Sequence, residues 1–261
     1  MKRLILLSLV VIAVLALGAC APAAEEFVVR IAVENAYLPF NYLDPDTGEP
    51  TGWDYEVWDE ICRRLGCTPE YIETSWDGMI QAVADGQFDA AADGITITEE
   101  RDEIVDFSVG YIALEQKLLV RADEDRISSI EDIVADESLN FGTQTGTTNY
   151  EVATKYLPEE RIAGFETFPF AIQALIGGDL DAVIIDDVAG QGYVGENADA
   201  VKLVGGSLSS DFLGFIYPNG SELKAQVDEV LQEMIDDGWF VDVNQKYFGP
   251  DFTITYEDLG F

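Results

Sequence analysis

Short apolar runs alternate with amphipathic stretches along most of the chain. Residues 28–34, Val-Val-Arg-Ile-Ala-Val-Glu, are rich in β-branched side chains and predict a first strand. Within 54–65, Val57, Trp58, Ile61 and Leu65 recur at helical spacing, which predicts an amphipathic helix with one buried face. A short strand is expected at 70–73. A helix follows over 77–84 with Met79, Ile80 and Val83 inward. Residues 88–92, Phe-Asp-Ala-Ala-Ala, are too few for a helix and lie between Gly86 and Gly94, so they read as a buried strand ending at a turn. Further strands are expected at 103–108, 116–121, 139–144, 180–185 and 213–217, and helices at 128–134, 149–156, 168–176, 221–236 and 239–247. The proline-bearing stretch 35–40 reads as a loop and 44–48, Asp-Pro-Asp-Thr-Gly, as a turn. Strands alternating with helices give an α/β fold with mainly parallel sheets.

The pattern contains an echo. Ile80-Gln81-Ala82-Val83 matches Ile172-Gln173-Ala174-Leu175, Gly86 matches Gly178, and Asp89-Ala90 matches Asp181-Ala182, all at one offset and without a gap. The same helix–turn–strand unit therefore occurs twice, about one small domain apart. The offset carries the strand end at Asp93-Gly94 onto Ile185-Asp186. Two similar lobes would each present the carboxyl end of a strand, the edge at which α/β sheets bind ligands. If those edges face each other, Thr96, Arg101 and Asp186 line one cleft.

The strand end opens into a helix start. In Asp93-Gly94-Ile95-Thr96-Ile97-Thr98-Glu99-Glu100-Arg101, Thr98 suits an N-cap. Gly94 permits close approach to the main chain, and the planar guanidinium of Arg101 suits a carboxylate. Alone, the motif reads equally as a capped turn with a surface arginine. Thr145-Gly146-Thr147-Thr148 before the helix at 149 reads as a simple cap or as an anion site, where free N–H groups and the helix dipole point outward. It is too short for a Walker loop, and no Gly-Lys-Ser/Thr follows. With Arg101 holding a carboxylate and Asp186 facing a cation, the ligand described is an α-amino acid.

Composition narrows the classes. Fifty Asp and Glu against fourteen Lys and Arg give a formal charge of −36. That field disfavours nucleic acid and anionic lipid surfaces, although an acid excess also suits a salty habitat. With no histidine, histidine catalysis and histidine metal sites are excluded, and no cofactor or metal is expected. Lys2 and Arg3 precede an apolar run over 4–17 and then Gly18-Ala19-Cys20. Residues 1–19 read as a signal peptide of lipoprotein type with lipid attachment at Cys20, and 20–26 as a tether. An ordinary signal peptide or a retained anchor are the alternatives. No later run is long enough to span a bilayer. Cys62 and Cys67 remain, and outside the cytoplasm so close a pair reads as a disulfide.

The ordered motifs Tyr37-Leu38-Pro39-Phe40, Gly52-Trp53-Asp54-Tyr55-Glu56, Trp76, Gly94-Ile95-Thr96-Ile97-Thr98-Glu99-Glu100-Arg101 and Asp106-Phe107-Ser108 resemble the polar amino acid-binding proteins of bacterial ABC importers, solute-binding family 3. So do Gly146-Thr147-Thr148, Asp181-Ala182-Val183-Ile184-Ile185-Asp186 and Lys246-Tyr247-Phe248-Gly249. The resemblance covers 27–250. It implies a two-lobe clamshell of the type II periplasmic binding fold with two hinge crossovers, lobe one from 27–112 plus 214–261 and lobe two from 113–213. It implies a monomeric, non-enzymatic protein outside the cytoplasm. That protein would hold a free amino acid, deliver it to an ABC permease, and touch the membrane only through the lipid on Cys20.

By the same resemblance, Arg101 holds the α-carboxylate with help from Thr96 and the Thr148 N–H, and Thr147 is also expected to bind the ligand. The Gly94 carbonyl, the Thr96 hydroxyl and Asp186 hold the α-ammonium, and Tyr37 and Trp76 sandwich the side chain. Glu34, Asp93 and Gln144 fall where members of the family vary with their ligand. Asp93 is a departure from the small or hydroxyl residue expected there, and an acid at a strand end also commonly faces solvent. Two acids between aromatic faces favour a cationic side chain, so arginine or lysine is expected, then glutamine or another polar amino acid. A dehydratase-like enzyme on the same scaffold and a sensor module are the competing classes.

Overall fold

The computed structural model describes residues 27–197, 199–249 and 252. The stretches expected as a signal peptide and a tether, with Cys20, lie outside the described residues. The apolar runs assemble into two five-stranded sheets. In the first sheet the order is β5-β1-β6-β13-β7. β1 (Val28–Val33) lies between β5 (Thr68–Glu73) and β6 (Ala90–Ala91), parallel to both. β13 (Ile216–Tyr217) runs antiparallel to β6 and to β7 (Asp106–Phe107). In the second sheet the order is β10-β9-β11-β8-β12. β9 (Phe141–Gln144) is parallel to β10 (Ile162–Phe165) and to β11 (Ala182–Asp186), whereas β8 (Ile112–Arg121) is antiparallel to β11 and to β12 (Val201–Leu213).

The sheets are therefore mixed rather than mainly parallel. The reason is topological. Parallel strands finish at the cleft, and a strand that carries the chain across the cleft must enter its sheet from that edge. β8 does so, and its residue Gln116 pairs with Asp186 at the end of β11.

The stretch read as a loop and turn forms a third, small antiparallel sheet of β2 (Ala36–Tyr37), β3 (Asn41–Leu43) and β4 (Pro50–Thr51). The Asp44 carboxylate organises its turn by accepting the N–H groups of Asp46 and Thr47. Residues 103–105, expected as strand, instead finish a helical turn. α3 (Glu99–Asp102) ends there, with the Ile104 and Val105 N–H groups bonded to the Arg101 carbonyl.

α1 (Trp53–Leu65) buries Trp53, Val57, Trp58 and Ile61 against the first sheet and ends at Gly66, which takes a left-handed conformation (φ 74°). A Cys62–Cys67 disulfide then ties the helix end to the approach of β5. The remaining helices are α2 (Met79–Ala84), α4 (Ile130–Ala135), α5 (Thr148–Tyr156), α6 (Phe168–Gly177), α7 (Asp187–Glu196), α8 (Glu222–Asp236) and α9 (Trp239–Phe248).

The echo in the sequence is an echo in space. α2 and α6 each lead through a left-handed glycine, Gly86 or Gly178, into β6 or β11, and each of these is the third strand of its five. One apolar cluster passes through both lobes, joining Leu38 and Phe40 of the first to Phe168, Ile172 and Val188 of the second. The clamshell is closed. No helix among the described residues is long and apolar enough to cross a membrane.

Candidate functional site

Where the two sheets present their strand ends, the lobes line a pocket of about 310 Å³, part of it open to solvent. All eleven residues singled out from the sequence line it, with Asn149 and Phe168 in addition. Asn149 belongs to the predicted anion loop and could have been found there. Phe168 begins an apolar helix and reads as core.

The anionic and cationic ends are built differently. Thr98 caps α3 by accepting the Arg101 N–H, which fixes the first turn and with it the Arg101 side chain. Arg101 is 8% exposed. Its Nη1 donates to the Thr96 carbonyl at 2.9 Å, and its guanidinium carbon sits 5.3 Å from the centre of the Trp76 ring. No carboxylate among the described residues lies within ion-pair distance of it. Burial lowers its pKa from the ordinary value. Beside it the Thr96 and Thr148 hydroxyls meet at 3.2 Å across the cleft, and Gln116 Nε2 donates to Thr148 Oγ1 at 3.1 Å. Thr147 caps α5, accepting the Tyr150 N–H and donating to the Gln144 carbonyl. The first N–H groups of that helix therefore face the cavity with the positive end of its dipole.

Asp186 ends β11 with 3% exposure. Its oxygens accept the Tyr37 hydroxyl and Asn149 Nδ2. Both donors are neutral, and burial raises the carboxyl to about 6 despite them. Gly94 turns beneath Tyr37 with φ +55°, and a Cβ there would run into the ring. Tyr37 stacks with Phe40 at 5.3 Å and with Phe168 at 5.4 Å, so an aromatic from each lobe meets it. Trp76 Nε1 donates to the Gly146 carbonyl of the other lobe at 3.1 Å.

Glu34 and Asp93 occupy another wall, 9% and 3% exposed. Gln144 Nε2 donates to Glu34 Oε1 at 3.0 Å and to the Glu166 carbonyl at 2.9 Å. Asn41 Nδ2 donates to Asp93 Oδ1 at 2.7 Å. Burial pushes Glu34 up to about 7, and burial with the neighbouring Glu34 charge pushes Asp93 well above the carboxylate range. Asp93 thus faces neither solvent nor a cation. The cavity holds one buried cation and three buried acids, and none of them forms an ion pair within the described residues.

A closed cleft between two mixed sheets, with strand ends and a helix N-terminus converging on it, defines a type II periplasmic binding fold. The family model of the bacterial extracellular solute-binding proteins, family 3, matches residues 29–250, and the chain belongs to that family. It is 29% identical to the L-cystine-binding protein TcyA of Bacillus subtilis, with 96% of this chain and 99% of the relative covered. Among solved structures, the arginine-, lysine-, histidine-binding protein ArtJ of Geobacillus stearothermophilus is similar at 30% identity and a TM-score of 0.80, covering 91% of this chain and 100% of that one. An ancestral amino acid-binding protein, AncCDT-1, a precursor of cyclohexadienyl dehydratase, is similar at 33% identity and a TM-score of 0.78, covering 85% and 95%. These relatives are amino acid binders, and the family acts with ABC importers outside the cytoplasm.

Proposed function

We propose that this chain captures a basic amino acid, arginine or lysine, and hands it to an ABC permease, held at the membrane by a lipid on Cys20. The observation that carries the reading is a buried guanidinium and buried carboxyl groups in one pocket with no ion pair among the described residues. A buried charge is costly unless paired, and a zwitterion with a cationic side chain supplies every missing partner. Arg101 takes the α-carboxylate through a two-bond fork, joined by Thr96, Thr147 and the Thr148 N–H. Asp186, with the Gly94 carbonyl and the Thr96 hydroxyl, takes the α-ammonium. The side chain passes between Trp76 and the Tyr37–Phe168 pair to Glu34 and Asp93, with Gln144 orienting Glu34.

A second reading, an enzyme of the dehydratase type, has one observation in its favour: Glu34 is held at about 7, where an acid–base group works best. Turnover of a prephenate-like acid would establish it. The test of the first reading is calorimetric titration of the protein, stripped of ligand by unfolding and refolding, against arginine, lysine, histidine, glutamine, glutamate and cystine. Arginine or lysine is expected to bind with Kd of about 1 μM or tighter, near −8 kcal/mol, with glutamine and glutamate weaker. Preference for a neutral or acidic amino acid would discard the role given to Glu34 and Asp93. No binding of any amino acid would discard the function.

A further inference from the structure

Behind the cavity wall lies a third acid, Asp54, which does not line the cavity and which the ligand-binding reading does not use. It sits in the first turn of α1, fully buried. Asn41, also fully buried, joins it to the pocket, since one amide nitrogen donates to Asp54 Oδ2 at 2.9 Å and to Asp93 Oδ1 at 2.7 Å. Asn41 is fixed in turn by its own Oδ1, which accepts the Asn35 N–H at 2.7 Å. Asp54 Oδ1 is buried with no donor at all. Asp93 and Asp54 are therefore linked by one amide, Glu34 lies beside Asp93 and raises it by its charge, and none of the three makes an ion pair among the described residues.

Among the described residues no cation lies within ion-pair distance of this row; Arg101 shares the pocket lining with Glu34 and Asp93 but pairs with neither. From β2 comes the Tyr37 phenol, and Tyr111, whose hydroxyl is itself buried without a partner, faces Asp54 and Asp93. Tyr55 on α1 and Tyr71 on β5 face Asp54 from their sides. Lobe two adds Tyr193 and the carboxylate of Glu166 beside Glu34. Two ionised carboxylates cannot share such a space, and an ionised Asp54 would leave a carboxylate oxygen without a donor.

We infer that the Glu34–Asp93–Asn41–Asp54 row stores a proton in the ligand-free cleft, and that a cationic ligand displaces this proton as it binds. Asp54 then acts as a positioning residue for selectivity, because its carboxyl sets how readily Asp93 ionises. No covalent bond changes; a proton leaves a carboxyl group for water as the ligand cation enters. The consequence is a pH-dependent grip, tight in neutral or alkaline surroundings and looser in acid. A neutral ligand would show no such dependence. The inference rests on the reading of the ligand as a basic amino acid, but the stored proton is measurable without any ligand.

Two measurements on the protein test it. The first follows side-chain carboxyl carbons by NMR in the ligand-free protein between pH 4 and 9, with Asp54→Asn and Asp93→Asn for assignment. At least one of the three groups should titrate above about pH 6, and Asp54→Asn should move the Asp93 midpoint down by about a unit. Should all three titrate in the ordinary carboxylate range, the stored proton is refuted whatever the ligand is. The second is calorimetry at pH 7 in phosphate and in Tris, which differ in the heat of taking up a proton. Arginine or lysine is expected to release about 0.5–1 proton per site, and glutamine about none. A raised midpoint with equal heats in both buffers overturns the exchange. A raised midpoint with binding of neutral amino acids alone also overturns it, and with it the basic-ligand reading.

Discussion

β6 and β11 occupy the same place in their sheets, and each is flanked by acids at both ends. The acids at the start of these strands are paired. Asp89 meets Arg30 at 2.8 Å, and Asp181 meets Arg121 at 3.2 Å and also Arg126. Despite burial, their hydrogen bonds and charges lower both carboxyl groups below the ordinary range. The acids at the far ends, Asp93 and Asp186, have neutral donors and no cation, and burial raises both. Composition is the same at the two ends, and only the provision of a partner differs. An acid that serves the fold arrives with its arginine. An acid that serves a ligand is left without one.

The contrast can be broken most forcibly at Arg101, the one cation among the described residues that lines the cavity. Arg101→Ala should weaken every α-amino acid by about 2–5 kcal/mol, roughly 30- to several-thousand-fold in Kd, because it strands the ligand carboxylate in a dry site. Calorimetry reads this directly. Thermal unfolding of the ligand-free variant should show little loss, since no internal ion pair is broken.

Asp181→Asn tests the other end of the comparison. The pair is partly screened, with Arg126 55% and Arg121 21% exposed, so the expected cost is about 1–2 kcal/mol of folding stability. Denaturant unfolding should register it, and the Kd for the amino acid should not change.

The third effect is one of pH. Glu34 and Asp54 sit at about 7 and Asp186 at about 6 in the folded protein, all raised by burial. Groups raised in this way add stability that is fully present below the ordinary carboxylate range and is lost as pH rises through 6–7. Asp89 and Asp181, which are lowered, do the reverse, and their contribution disappears only in acid. The ligand-free protein should therefore lose about 1–3 kcal/mol between pH 5 and 8. Asp54→Asn should flatten that fall, as followed by the midpoint of urea unfolding.

Much of this contrast is legible in the sequence. The echo around Gly86 and Gly178 placed Asp93-Gly94 and Asp186 at corresponding strand ends, and the apolar periodicities located α1, α8 and the central strands. Pairing is not written in a linear pattern. The partners of Asp89 and Asp181, at Arg30 and at Arg121 and Arg126, become visible only once the sheets are assembled.

The elements missed have the same explanation. α7 contains three glycines, poor helix formers, and is held by packing: Gly190 fits against Leu203 and Ile185, and Gly192 against Leu38 of the other lobe. β12 is interrupted by Gly205-Gly206-Ser207 and shifts register between Val204 and Ser209, so it is a strand by virtue of β8 rather than of its own alternation. β10, Ile-Ala-Gly-Phe, owes its place to β9. Asn41 lies between the stretch read as a loop and the one read as a turn, and nothing local marks an asparagine as the link between two acids.

The claim that unpaired strand-end acids select the ligand is tested most directly by one ratio. It is the affinity for arginine over that for glutamine, measured by calorimetry in the wild type, in Asp93→Ser and in Glu34→Gln. The account expects the ratio to fall about tenfold or more in each variant, with glutamine binding held within about threefold of the wild type. Equal loss for both ligands, or no loss for arginine, would contradict it.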